Sequence, residues 1–384
     1  MARATHEVAD VVRLFGDALL REGTITPARR RVMRALLACR TAQLGGHVES
    51  CNNCDYRRIA YNSCRNRHCP KCQGSRQAQW LEDRGKDLLP VEYFHVVFTL
   101  PEEVAAIALQ NKRVLYGILF AASAATLRTI AADPRHLGAE IGFVSVLHTW
   151  SQMLQHHPHV HCVVPGGGLA PDGRWVACRP GFFLPVRVLC AMFRGKFVAA
   201  LRAAFEASEL KFQGPLRHLG ERAAFAALLD RLMARQWVVY SKPPFGGPEQ
   251  VLKYLARYTH RVAIGNRRIL AVDDSGVTFR WRDRANGDRT RTMKLPGVEF
   301  LRRFLLHVLP RGFQRLRHYG LLGNRSRATK LALCRLLLGT AMPAPATTIV
   351  PFEIIDDHCP ECRIGRLVRQ PWPAIRMPEV VDSS

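Results

Sequence analysis

The chain is short of acid. It holds 31 Asp and Glu against 56 Lys and Arg, a formal net charge of +25 over 384 residues. An imbalance of that size favours a polyanionic partner, nucleic acid first; a solvated basic surface or a membrane-surface patch is the plainer alternative. Long apolar runs are missing too. The longest, Val114 to Leu127, is 14 residues between Arg113 and Arg128. That is short of the roughly 20 that cross a bilayer, so a buried helix and no membrane partner are expected. The N-terminus, MARATHEVADVVRLF, has no apolar signal core and carries acids, so neither a secretory nor a transit peptide is expected. Internal repeats and heptads are absent as well.

What is present is enough apolar residue, 48%, to fill the cores of two or three domains. Twelve cysteines are also present. Five fall within 22 residues, from Cys51 to Cys72. In a long chain without a signal this favours metal-bound thiolates in a reducing cytoplasm over disulfides.

Helical spacing of Val8, Val11, Val12, Phe15 and Leu19 predicts a first helix, and Pro27 opens a second. The pattern then changes. Residues 91–100 and 141–150 read as strands, with a long Ala/Leu helix over 102–132 between them. A polar connection leads to a third strand at 159–164, closed by Pro165 and three glycines, which suits antiparallel neighbours. Residues 187–236 and 297–340 read as basic helices and 237–241 as a short strand. Residues 267–295 read as hairpins turning at Asp273–Gly276 and Asn286–Gly287. The tail from about 341 is Pro-rich. The order of elements predicts an α+β sandwich with helices on one face of an antiparallel sheet.

Two motifs carry chemistry. Cys51-x2-Cys54 and Cys69-x2-Cys72 are knuckles 14 residues apart, the spacing of a four-thiolate structural zinc site. Cys64 and His68 lie between them, so either could replace an outer thiolate or serve a second metal. The same loop carries Arg57, Arg58, Arg65, Arg67 and Lys71, a basic set suited to phosphate contact. Cys359 and Cys362 form only half a site, for which an uncoordinated turn is the favoured reading. A further basic face is expected where Arg280, Arg282, Arg284, Arg289 and Arg291 alternate.

The second motif is HPHVHCVVPGGGL at 157–169. On a strand His159 and His161 point the same way. Two imidazoles on one face can hold a divalent ion with positions open for phosphate oxygens. A third ligand should come from a neighbouring element, and His148 on the preceding strand is preferred over His95, His260 and Gln152; a turn centred near 154–155 sets it opposite His161. Ninety residues on, KYLARY at 253–258 places Tyr254 and Tyr258 one helical turn apart on one face. Core packing is the usual reason for such a pair. Lys253, Arg257 and Arg261 argue against a dry core, and would favour a phenolate and neutralise phosphate.

Together these stretches resemble the two-tyrosine HUH transposases of rolling-circle insertion sequences, of the IS-ninety-one type. The matching segments are HVVFTLP (95–101), VLHTW (146–150), HPHVHCVVPGGGL, PFGGPEQVLKYLARYTHRVAI (244–264) and FQRLRHYGLL (313–322). SCRNRHCPKC (63–72) resembles the zinc-binding domain of that family. The resemblance implies an HUH-type antiparallel sheet with packed helices and an N-terminal zinc-binding module. His159 and His161 would hold magnesium or manganese. Tyr254 and Tyr258 would attack single-stranded DNA at the element's ends, form a 5′-phosphotyrosine, and pass the strand to target DNA in the bacterial cytoplasm, at the nucleoid. On this basis residues 1–90 are expected to recognise DNA, 91–325 to form the catalytic domain, and 326–384 a C-terminal helix and Pro-rich tail. His156 departs from the pattern by adding a competing imidazole. A plasmid or phage replication initiator or relaxase shares the chemistry, and a non-catalytic zinc protein that binds nucleic acid shares the charge and the cysteines.

Overall fold

Residues 4–23, 25–73, 85, 87–242, 250, 263–283, 286–339 and 358–373 are described by a computed structural model and fall into two compact units. One unit lies within Gln77–Ala263 and Leu309–Met342. Its centre is a five-stranded sheet in the order Leu316–Gly320, Gly142–Trp150, His156–Pro165, Tyr93–Thr99, Val238–Lys242, with every neighbouring pair antiparallel. Side chains alternate along each strand, so the sheet has two chemically different faces. Phe94, Val96, Phe98, Phe143, Leu147, Val160, Cys162 and Val164 form one face. They pack on apolar residues of helices Glu102–Gln110, Lys112–Ala132, Val186–Glu206 and Arg222–Ala234. Fully burying each such side chain contributes about 1.5–3 kcal/mol. The opposite face carries Val144, Val146 and Val163 and, in the same strands, His95, His148, His159 and His161.

The helix Lys112–Ala132 is, by length and composition, able to cross a membrane. Its Leu115, Tyr116, Leu119, Phe120 and Leu127 are fully buried in the core, as the sequence predicts. The single helix expected over 102–132 is two. Asn111 interrupts it, and its side-chain amide donates to the carbonyls of Ile107 and Lys211 while its oxygen accepts from Lys211 N–H. Residues 316–320, expected to be helical, are instead an edge strand paired with Gly142–Val146.

The other unit lies within Met1–Arg76, Ile264–Val308 and Pro343–Ser384. It contains the helices Val8–Arg21 and Pro27–Ala38, the second with Pro27 in its first turn and capped by Thr26. A three-stranded meander, Ile269–Asp273, Gly276–Asp283 and Arg289–Leu295, and the helix Gly297–Leu306 belong to it. The expected boundary at 90–91 therefore does not describe this unit, which draws on three separated stretches of chain. Long-range contacts explain why: Val8 N–H donates to Asn266 Oδ1 at 3.2 Å, and Arg302 pairs with Glu22 at 2.9 Å. A second three-stranded sheet orders Leu367–Trp372, Gly46–Cys51 and Arg57–Tyr61. The Pro-rich tail thus supplies a strand to a ribbon that begins at residue 46.

The arginines of the meander do not form one basic face. Arg280 and Arg282 pair across the ladder with Thr292 and Thr290, whereas Arg289 and Arg291 pair with Asp283 and Trp281. Cross-strand partners share a face, so the two arginine pairs stand back to back. Arg291 is also held by Asp283 at 3.0 Å. Arg284 lies outside the described residues.

Gly320 closes the edge strand with φ +56°, and a Cβ there would meet the carbonyl oxygen of Ile141 at 1.8 Å. A Gly320→Ala change is expected to destabilise the protein by about 2–4 kcal/mol, read as a lower midpoint in urea unfolding; an unchanged midpoint would show that this strand end is not constrained.

Candidate functional site

The strands Gly142–Trp150 and His156–Pro165 join through a tight turn. Ser151 N–H donates to the Gln155 carbonyl at 2.9 Å, the Ser151 hydroxyl accepts from Met153 and Gln155 N–H, and Leu154 takes φ +62°. The resulting register sets His148 opposite His159. A turn centred at 154–155, as the sequence suggests, would set it opposite His161. The turn is centred one residue earlier than expected, and that slip shifts each partner by two, so His148 keeps its face. His148, His159 and His161 consequently come together, with one nitrogen of each within 4.8 Å of the others. Ring centroids lie 4.5 Å apart for His148 and His161, 4.8 Å for His159 and His161, and 5.5 Å for His148 and His159.

Neighbours fix these rings. His159 Nδ1 lies 2.6 Å from the carbonyl oxygen of His157, so Nδ1 carries the proton and Nε2 keeps its lone pair. His161 Nδ1 is 2.8 Å from Nε2 of the buried His95 on the adjacent strand. Trp150 stacks on His148 at 4.6 Å. His95 stands outside the group of three and against one member of it, which its sequence position alone does not reveal. His156 does not join the group. Its position on the strand turns it to the helical face, where Tyr116 hydroxyl lies 2.8 Å from its Nε2. Burial pushes the Tyr116 phenol up, so Tyr116 donates.

Tyr254, Tyr258, Lys253, Arg257, Arg261 and His260 lie outside the described residues. Arg65 is exposed and Arg67 half-buried in the loop after the ribbon.

The cysteines regroup. The expected quartet of Cys51, Cys54, Cys69 and Cys72 is split between two clusters: Cys39, Cys64, Cys69 and Cys72, and Cys51, Cys54, Cys359 and Cys362. The hairpin is the reason. Cys51 and Cys54 sit at its tip, while Asn62, at its base, accepts from Arg40 N–H beside the end of the helix that carries Cys39. Six strand residues at about 3.3 Å each hold the knuckles apart. In the first cluster Sγ–Sγ distances are 3.5 Å for Cys39–Cys72 and Cys39–Cys69 and 3.6 Å for Cys64–Cys72. Four sulfurs each about 2.3 Å from one zinc stand about 3.8 Å apart, so the cluster fits the ion. Of the two residues between the knuckles, Cys64 lies in this cluster and His68 does not. A hydrogen bond from Cys69 pulls the Cys64 thiol down to about 5, and burial pushes Cys39 up to about 11. Four adjacent thiolates require a cation. Cys39 escaped the sequence reading because it stands alone at a helix end.

Residues 142–330 match a family described as putative transposase, and residues 11–100 match the transposase zinc-binding domain. A putative transposase, y4qJ of Sinorhizobium fredii, is 58% identical over 380 residues, 96% of each chain. The transposase for insertion sequence element IS801 of Pseudomonas savastanoi pv. phaseolicola is 28% identical over 337 residues, 85% of this chain and 78% of that one. Among solved structures, a metal-bound conjugative relaxase TrwC in complex with oriT DNA aligns with a TM-score of 0.25 and 14% identity, over 44% of this chain and 71% of that one. The chain belongs to the transposase family of the insertion sequences IS91 and IS801. It is therefore a protein that acts on DNA, with a zinc-binding domain near its N-terminus.

Cys64→Ser is expected to lower the zinc content of the purified protein, and His68→Ala to leave it at the wild-type value, both measured by metal release. Zinc lost from His68→Ala in a folded protein would reverse the ligand assignment.

Proposed function

We propose that this transposase nicks and rejoins single-stranded DNA through Tyr254 and Tyr258, in rolling-circle transposition of an insertion sequence. The observation that carries the proposal is the convergence of three imidazoles on the sheet face opposite the main helical core. His148, His159 and His161 would hold a hard divalent ion, magnesium or manganese, which when bound polarises the scissile phosphate and offsets its developing charge. His159 is oriented by the His157 carbonyl, and His95 steadies His161 from the neighbouring strand. These contacts leave Nε2 of His159 and of His161 for the ion.

One tyrosine hydroxyl attacks phosphorus. Its oxygen forms the new bond, its proton is given up, and the bond from phosphorus to the 3′ oxygen breaks. The 3′ oxygen leaves as a hydroxyl and the 5′ end stays on the tyrosine. A phosphodiester is exchanged for a phosphodiester, so no nucleotide hydrolysis is required to reseal the strand. Two tyrosines four residues apart in sequence allow one strand end to be held while a second is cut, as transfer to target DNA demands. Lys253, Arg257 and Arg261 neutralise phosphate beside them, and Arg65 and Arg67 contact the DNA backbone from the zinc module. The reaction takes place in the bacterial cytoplasm, on the nucleoid.

The test is a denaturing-gel assay with labelled single strands from the flanks of the gene and magnesium or manganese. A metal-dependent covalent protein–DNA band is expected. Tyr254→Phe or Tyr258→Phe should weaken it, and the double variant and His159→Ala with His161→Ala should abolish it while DNA binding persists. A band that survives in the double tyrosine variant would sink the proposal. In the same assay His95→Ala should raise the metal concentration needed for half-maximal cleavage by roughly 10–100-fold, and His156→Ala should leave it unchanged. Equal effects of the two would remove His95 from its positioning role.

A further inference from the structure

The second cysteine cluster joins two parts of the chain that the sequence keeps 305 residues apart. Its C-terminal half lies far beyond the matched zinc-binding domain, which ends at residue 100. We propose that Cys51, Cys54, Cys359 and Cys362 form a second four-thiolate zinc site, one that clips the C-terminal segment onto the N-terminal ribbon.

Geometry carries the argument. Cys51 and Cys362 sulfurs lie 3.7 Å apart and Cys54 and Cys359 sulfurs 3.6 Å apart. Those are the edges of a tetrahedron about one zinc and are far too long for a disulfide, which needs about 2.05 Å. Both halves are built as knuckles. Asn53 N–H donates to Cys51 Sγ at 3.3 Å, and Gly365 N–H donates to Cys362 Sγ at 3.3 Å. Such donors stabilise sulfur as thiolate, the form that binds metal. Arg363 takes φ +57° to turn the second knuckle, and Cys359 N–H closes it on the Gly365 carbonyl at 2.7 Å.

The surroundings are shaped to the sulfurs. At Gly365 a Cβ would meet Cys51 Sγ at 2.4 Å and Asn53 Cβ at 2.6 Å, so only glycine lets the two knuckles close face to face. Asn52 binds Arg366 twice: its N–H donates to the Arg366 carbonyl at 3.1 Å, and its side-chain oxygen accepts from Arg366 N–H at 2.8 Å. The strand Leu367–Trp372 then pairs with Gly46–Cys51 over six residue pairs, from Cys51 with Leu367 to Gly46 with Trp372. Glu49, buried in the middle strand, is bonded by Arg58 on one side and by Arg369 at 3.0 Å on the other. Neither half-site could hold an ion alone, so the ion and the strand pairing stabilise each other.

The test is the metal content of the full-length protein, by native mass spectrometry and by metal release. Two zinc ions per chain are expected. Cys359→Ser with Cys362→Ser should leave one, and should make the segment after residue 357 sensitive to trypsin at Arg363, Arg366 and Arg369. One zinc in the wild type, or two in that variant, would overturn the proposal, as would a Cys51–Cys362 or Cys54–Cys359 disulfide in protein purified under reducing conditions. Where the variant fails to fold, X-ray absorption at the zinc edge of the wild type decides. Two zinc ions with four sulfur neighbours each are expected, and a lower mean sulfur count rejects the second site.

Discussion

The pairing register between Gly142–Trp150 and His156–Pro165 is the constraint on which the candidate site depends. Side chains on a strand alternate with a period of two, so the same register that buries Leu147 against Val160 sets His148 beside His159. A slip of His156–Pro165 by one residue would send His159 and His161 into the helical core, away from His148, and bring Val160 and Cys162 out to the other face. The apolar face therefore specifies the polar one. The desolvation cost of misplacing several large apolar side chains protects a cluster that contributes little to stability. The turn sets the register, and Ser151 and Leu154 set the turn.

That division also explains how a sheet centre tolerates so many histidines. His95, His148 and His161 are buried, and buried imidazoles are costly unless their nitrogens are satisfied. The sheet meets part of that cost with local partners: a carbonyl at Nδ1 of His159, a second imidazole at Nδ1 of His161, and an indole stacked on the ring of His148. Each partner removes a rotational freedom, so the partners also aim the rings. His156, on the opposite face, is bonded at Nε2 by Tyr116 and points away from the cluster.

Much of this was legible in the residues. Alternation marked the strands at 91–100 and 141–150, and the His-x-His spacing put two imidazoles on one face whatever the register. Parity alone puts His148 on the face of His159 and His161, while the position of the turn decides which of them it stands opposite. What could not be read was long-range. Cys39 is one cysteine at a helix end, and Cys359-x2-Cys362 looked like half a site because nothing local announces a partner near residue 50. Leu316–Gly320 is basic and lacks a β-branched run; only its neighbour strand makes it a strand. The alternating arginines of 280–291 share one face only within each strand, and the ladder sets Arg280 and Arg282 opposite threonines rather than opposite Arg289 and Arg291. Tyr254 and Tyr258 rest on the sequence pattern alone.

The ribbon shows why a transposase of this kind would spend cysteines rather than apolar side chains near its N-terminus. No residue of Arg57–Tyr61 or Leu367–Trp372 is buried, and the middle strand buries only Val48 and Glu49. Three short strands with so little apolar contact do not sustain themselves in water. Enlarging the core would require apolar residues where the ribbon now carries Arg57, Arg58, Arg366 and Arg369, and those charges suit a protein that handles DNA. Thiolate–metal bonds resolve the conflict, because they stabilise from a few atoms at the ends of the strands and leave the faces polar. The buried Glu49 fits the same logic. It joins arginines from both ends of the chain through a single carboxylate, and the hydrogen bonds and charge of Arg58 hold that carboxyl below its usual range despite its burial. A basic surface is thereby kept while its densest repulsion, across the three strands, is offset from within.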